Sequence, residues 1–130
     1  MNRLKSKEIL IHNLDNPGLP PARARVCATF ACQLRGLTFR RNLPPYQGLL
    51  LVQRRESRLD AAIHMLGVWM DLAVVWLNSE LKVVDVRLAQ RWRPMYFPRH
   101  PARYVLELAA GHLKDFKTGD SLNFEEISMD

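Results

Sequence analysis

Apolar positions recur along the chain in short runs bounded by Gly, Pro, Asn and Asp, and seldom at helical spacing. The pattern predicts a first strand over 7–12 and a Pro/Gly-rich loop over 13–21. A short strand follows at 25–28, and then a two-turn helix N-capped by Thr29 and closed at Gly36. Pro44-Pro45 breaks the chain again. Residues 48–53 are continuously apolar, as in a strand covered on both faces, and the charged run 54–58 reads as a connection. Strands are predicted at 61–66 and 72–77 around a bend at Gly67. The 78–80 turn leads into 81–88 as a β-hairpin. A loop over 89–101, a strand over 103–108, a short helix over 109–116 and a last strand over 121–124 complete the reading.

These elements predict a mainly β fold. It would be a compact, mostly antiparallel β-sandwich or partly open barrel with two short helices, with an α+β arrangement as the alternative. One domain is expected over 1–130, with a loop-rich segment over 1–24 and a frayed acidic tail over 125–130.

The most apolar stretch, 63–78, carries His64 at its start and Asp71 in its middle. A membrane span is excluded there: the run 65–77 is thirteen residues long and interrupted by a carboxylate, against the ~20 apolar residues a helical span needs.

Charge narrows the choice of partners. Between Pro20 and Arg103 stand fourteen basic and five acidic residues, a local net charge of +9, within a whole-chain charge of +6. Such a surface attracts anions. The arginines are scattered over strands and loops rather than gathered in one stripe, so nucleic-acid binding is not the expected function. Cys27 and Cys32 lack the second ligand pair of a zinc site and read as buried reduced thiols. With no recognisable targeting segment, the chain is expected in the cytoplasm.

Taken together, the pattern resembles a bacterial and archaeal family, domain of unknown function 192. The resemblance runs from Ala28 to about Phe124. It rests on Arg35-Gly36-Leu37-Thr38-Phe39-Arg40, Gly48-Leu49-Leu50-Leu51, Ile63-His64-Met65 leading to Val74-Val75-Trp76-Leu77, and Val83-Val84. Trp92-Arg93-Pro94, Ala102 to Leu108 with Gly111, and Gly119-Asp120 complete it. Thr38 stands where the family usually has methionine. Asp71 lies two residues before the family's usual aspartate, a shift that keeps the same face of a strand. The resemblance implies a small β-rich fold and no particular activity.

Candidate chemistry is sparse. No phosphate loop, nucleophile–base order, metal-ligand spacing or cofactor motif is present, so no cofactor and no metal are expected. His64 and Asp71 are the candidates for an acid–base couple. The reading preferred for Asp71 is structural, bonding exposed N–H groups or an arginine at a strand entrance. The segment 91–99 interleaves arginines with aromatics, a combination that stacks on planar groups and clasps anions. Arg91, Trp92, Arg93 and Tyr96, with Arg40, are the candidate ligand-binding residues. The alternative is that Trp92 and Tyr96 plug the open end of the core. The chain therefore reads as a binding or accessory module for an anionic small molecule or a protein partner. A small acid–base or hydrolytic enzyme and a weak nucleic-acid binder are the competing readings.

Overall fold

The computed structural model describes residues 7–29, 32–33 and 42–127. Its strands are β1 (Glu8–Asn13), β2 (Ala22–Cys27), β3 (Gln47–Ser57), β4 (Leu72–Leu77), β5 (Val83–Ala89), β6 (Ala102–Ala109) and β7 (Leu122–Glu126). A 3-10 helix, η1 (Ala110–Asp115), stands where the 109–116 helix was predicted. All seven strands form one sheet in the order β5-β4-β6-β3-β2-β1-β7. It curls into a half-barrel, the partly open form of the predicted fold, and it is mixed because β2 and β3 run parallel.

The two edge strands meet at one end. Val83 N–H donates to Asp120 O at 2.8 Å, Gly119 N–H to Val83 O at 2.8 Å, and Leu122 N–H to Leu81 O at 2.9 Å. The seam is therefore closed beside the β4–β5 turn.

Alternation sorts the side chains into two layers. Ile9, Ile11, Ala24, Leu50, Val75, Leu77, Leu106 and Leu122, drawn from strands around the whole sheet, fill the hollow of the half-barrel. Leu49, Leu51, Leu72, Val74, Trp76 and Val105 point outward from β3, β4 and β6, and Ile63, Met65, Val68 and Tyr96 cover them. Covering on both faces explains why β4 is buried at all six positions. On β1 and β2 the outer face lacks that cover and carries Glu8, Arg23 and Arg25 instead.

Several expectations are corrected. Residues 54–57, read as a connection, extend β3 beyond the cover, so they are charged although they are strand. Residues 61–66 are not a strand: only Ile63 pairs, with Tyr96, and the segment serves as covering layer. Glu125 and Glu126, placed in a frayed end, belong to β7 and pair with Leu10 and Ile9. Thr29 does cap the turn after β2, its Oγ1 accepting the Cys32 N–H at 3.1 Å, and residues 32–33 are helical; the rest of that predicted helix lies outside the described residues. Cys27 and Cys32, expected as thiols, are joined in a disulfide across a Cα–Cα distance of 5.6 Å, a separation ordinary for such a bridge. The bridge fastens this turn to the end of β2. No helix among the described residues is long and apolar enough to cross a membrane.

Candidate functional site

The loop joining β5 to β6, residues 90–101, is held at both ends by carboxylates. Asp71, immediately before β4, accepts the Arg91 backbone N–H at 2.9 Å and the Arg91 Nε–H at 3.3 Å. Asp85, 4% exposed on β5, accepts the Arg99 backbone N–H at 3.0 Å. Between these anchors the loop is stitched to the covering segment. Ile63 and Tyr96 exchange backbone hydrogen bonds of 3.0 and 2.9 Å, while Met65 receives the Trp92 N–H at 3.0 Å and donates to Arg93 O at 3.1 Å. The Tyr96 hydroxyl oxygen accepts the Gln90 N–H at 2.8 Å. A loop with so many fixed points keeps little conformational freedom to lose on binding.

This framework separates the two aromatic residues singled out together in the sequence. Tyr96 is buried in the outer core, whereas Trp92 is 46% exposed. Trp92 also sits at φ 65°, a left-handed conformation unusual for a bulky side chain. Strain of this kind persists only where surrounding contacts over-determine the backbone, and it gathers at functional positions. Here the Met65 and Asp71 contacts hold the Trp92 backbone in place. Trp69 packs edge-on against Trp92 with ring centroids 5.1 Å apart, and both indoles are partly open to solvent. Leu66, Met95 and Phe97 are exposed on the same two segments. Arg93 and Arg99 are exposed there as well, whereas Arg91 is paired with Asp71. The result is a rigid aromatic platform with cations at its margins. Arg40, the remaining candidate, lies outside the described residues.

His64 and Asp71 stand on the two segments that grip this loop, but no hydrogen bond joins them among the described residues. His64 Nδ1 is buried without a hydrogen-bond partner among the described residues. Asp71 occupies the strand entrance expected of it. The Arg91 N–H holds its carboxyl below the usual carboxylate value. Desolvation opposes that shift, and the Arg91 guanidinium adds to it. Asp71→Asn keeps an oxygen for the Arg91 N–H but loses the charge, and is expected to cost about 1 kcal/mol in urea denaturation. Asp71→Leu strands that N–H and should cost more.

One polar group was not singled out by the sequence. Glu107 of β6 is 5% exposed and pairs in register with Leu49 on β3 and Val74 on β4, so it shares their outward face. Burial alone pushes its carboxyl up to about 7, and no ion pair or hydrogen bond meets it among the described residues. A glutamate alternating with apolar neighbours on a strand looks like a solvent-facing position, which is why the pattern hid it. No group of His, Cys, Asp and Glu among the described residues is arranged to hold a metal.

Comparison with known proteins agrees with this architecture. A UPF0127 protein of Thermococcus gammatolerans is 38% identical over 99 residues, which cover 75% of this chain and 63% of that protein. The chain thus spans slightly under two thirds of that relative's length. A UPF0127 protein of Pyrococcus furiosus is 30% identical over 129 residues and 98% of both chains. Among solved structures, a Sinorhizobium meliloti protein provisionally assigned as a transcription regulator superposes with a TM-score of 0.79. It has 19% identity and covers 95% of this chain and 97% of its own. A Novosphingobium aromaticivorans protein of unknown function has a TM-score of 0.74 at 17% identity, covering 89% and 83%. At such identities these two establish the fold alone. Residues 13–124 match the family described as an uncharacterised ancient conserved region, domain of unknown function 192, and the chain belongs to that family.

Proposed function

We propose that the protein is a non-catalytic binding module whose 90–101 loop presents Trp92, flanked by Arg91 and Arg93, to an anionic partner, either a small molecule or an acidic protein surface. The observation that carries this reading is the exposed, left-handed Trp92 in a loop pinned at both ends. An exposed indole stacks on planar groups, and arginine beside it clasps carboxylate or phosphate. The acid–base alternative has less support, because Asp71 is already engaged by Arg91 and has no bond to His64.

The test separates binding from folding. Glycine adopts φ 65° without penalty, so Trp92→Gly should leave the melting temperature level or higher while removing the platform. Indole N–H signals followed by NMR during titration with anions, with and without a planar ring, should shift most at Trp92 and Trp69 for the planar anions. The response should be lost in Trp92→Gly and weakened in Arg93→Gln. If no anion in the series moves those two signals, the reading is wrong.

A cytoplasmic location is part of the same proposal. It sets the Cys27–Cys32 pair, a disulfide in the structure, against a reducing environment that would open it. Alkylation of intact cells should then label both thiols, whereas protection of the pair would place the protein in an oxidising compartment.

A further inference from the structure

The outer side of the covering layer is apolar where a lid over a core should be polar. Nine large apolar side chains are exposed among the described residues. Six of them, Leu59, Leu66, Trp69, Trp92, Met95 and Phe97, lie on the two covering segments 59–70 and 90–101. Met95 and Phe97 alternate with buried Tyr96 and Pro98, so they face away from the core, and Leu66 and Trp69 stand beside buried Met65 and Val68. The segments are tied together by the Ile63–Tyr96 pair and by Arg58, whose Nε–H donates to Pro98 O at 2.9 Å. Apolar groups gathered on a fixed frame mark an interaction surface, whereas single exposed ones do not. Charge on this face is one-sided. The acids of 58–71 are Asp60 and Asp71, already paired with Arg55 and Arg91, and 90–101 has none. Arg58, Arg93 and Arg99 form no ion pair among the described residues.

We infer that this face rests on the surface of an anionic bilayer. Leu66, Met95 and Phe97 enter the acyl boundary, the Trp69 and Trp92 indoles lie at headgroup level, and Arg93 and Arg99 meet lipid phosphates. The inference rests on the reading of the Trp92 loop as an anion-facing surface and gives that surface a further partner. Indole suits a membrane interface because its ring is apolar while its N–H seeks a polar group. Apolar burial and the attraction of arginine to anionic lipid add together, which is how a peripheral protein is held on a bilayer without crossing it. A second copy of the chain fits the same face poorly, because the unpaired arginines of two copies would be brought against each other in a symmetric contact. The pinned loop has little order left to gain on docking.

The test is co-sedimentation of the intact protein with vesicles of phosphatidylcholine alone and of phosphatidylcholine mixed equally with phosphatidylglycerol. Binding to the mixed vesicles should be about tenfold tighter or more, and should weaken as salt screens the arginines. Brominated acyl chains should quench tryptophan fluorescence in the bound protein. Leu66→Ser combined with Met95→Ser, both exposed changes, should weaken binding about tenfold. Arg93→Gln combined with Arg99→Gln should remove most of the preference for anionic lipid. Circular dichroism would establish that both double variants are folded. The inference is overturned by no sedimentation with the mixed vesicles, by unchanged binding in the serine variant, or by full anionic preference in the glutamine variant. A dimer seen by analytical ultracentrifugation and dissociated by the serine changes would overturn it in favour of a second copy. If soluble planar anions shift the Trp92 signal while vesicles do not bind, this inference falls alone; if neither binds, the reading beneath it falls as well.

Discussion

Glu107→Gln is expected to stabilise the protein at pH 8 by up to about 3 kcal/mol and to flatten its stability between pH 4.5 and 7. The buried carboxyl has its folded value raised from 4.5 to about 7 by desolvation, so the fold favours the protonated form. A group shifted upward contributes stability that is fully present below its unfolded value and is lost as pH rises through its folded one. Wild-type stability should therefore fall across that window and level off above it. The size follows from roughly 1.4 kcal/mol for each tenfold change in proton affinity between the unfolded and folded chain. Glutamine cannot ionise, so the variant escapes the loss, although its amide remains a buried polar group and takes back part of the gain. Urea denaturation from pH 4 to 8.5 measures both curves. A variant less stable than wild type at pH 8 would mean that the glutamate is well partnered.

Trp76→Ala should have the opposite sign and at least equal size, a loss of about 3–5 kcal/mol. Trp76 is wholly buried on β4, and its Nε1–H donates to Ala61 O at 2.8 Å. Truncation removes the largest side chain under the cover and releases the covering segment at its base. Because Ile63 pairs with Tyr96 two residues further on, the damage should spread to the Trp92 loop. Trp76→Phe retains much of the volume but leaves the Ala61 carbonyl unpaired, for about 1–3 kcal/mol. Amide exchange at Ile63 and Tyr96 should accelerate in both variants. Unchanged exchange there would show that the cover holds without this hydrogen bond.

Local pattern was enough to find β4, because a strand buried on both faces has no choice but to be apolar throughout. It was enough to place Asp71, since a carboxylate just before such a strand needs nearby donors. It misled at 54–57, where β3 outruns its cover and becomes charged, and at 61–66, where apolar alternation belongs to a lid rather than a ladder. The parallel β2–β3 pair and the β1–β7 pair join residues far apart in the chain, so nothing local announces them. The Trp92 loop stood out for its composition. Its anchoring by Asp85, and the inward turn of Tyr96 against the outward Trp92, depend on tertiary partners that composition does not contain.

The pairing of β1 with β7 also has a kinetic meaning. Glu8–Asn13 is made well before one of its two neighbours in the sheet, Leu122–Glu126. Synthesis at about 5–20 residues per second leaves the early strand one-sided for several seconds. During that interval β1 can dock on β2 through a short loop, but the hollow of the half-barrel stays open. Closing a loop of such length carries an entropic cost before any contact rewards it, which places this chain among the slower folders of its size. A nascent chain stalled before Leu122 would expose Ile9 and Ile11 beside an unpaired strand edge, the kind of surface that holding chaperones recognise.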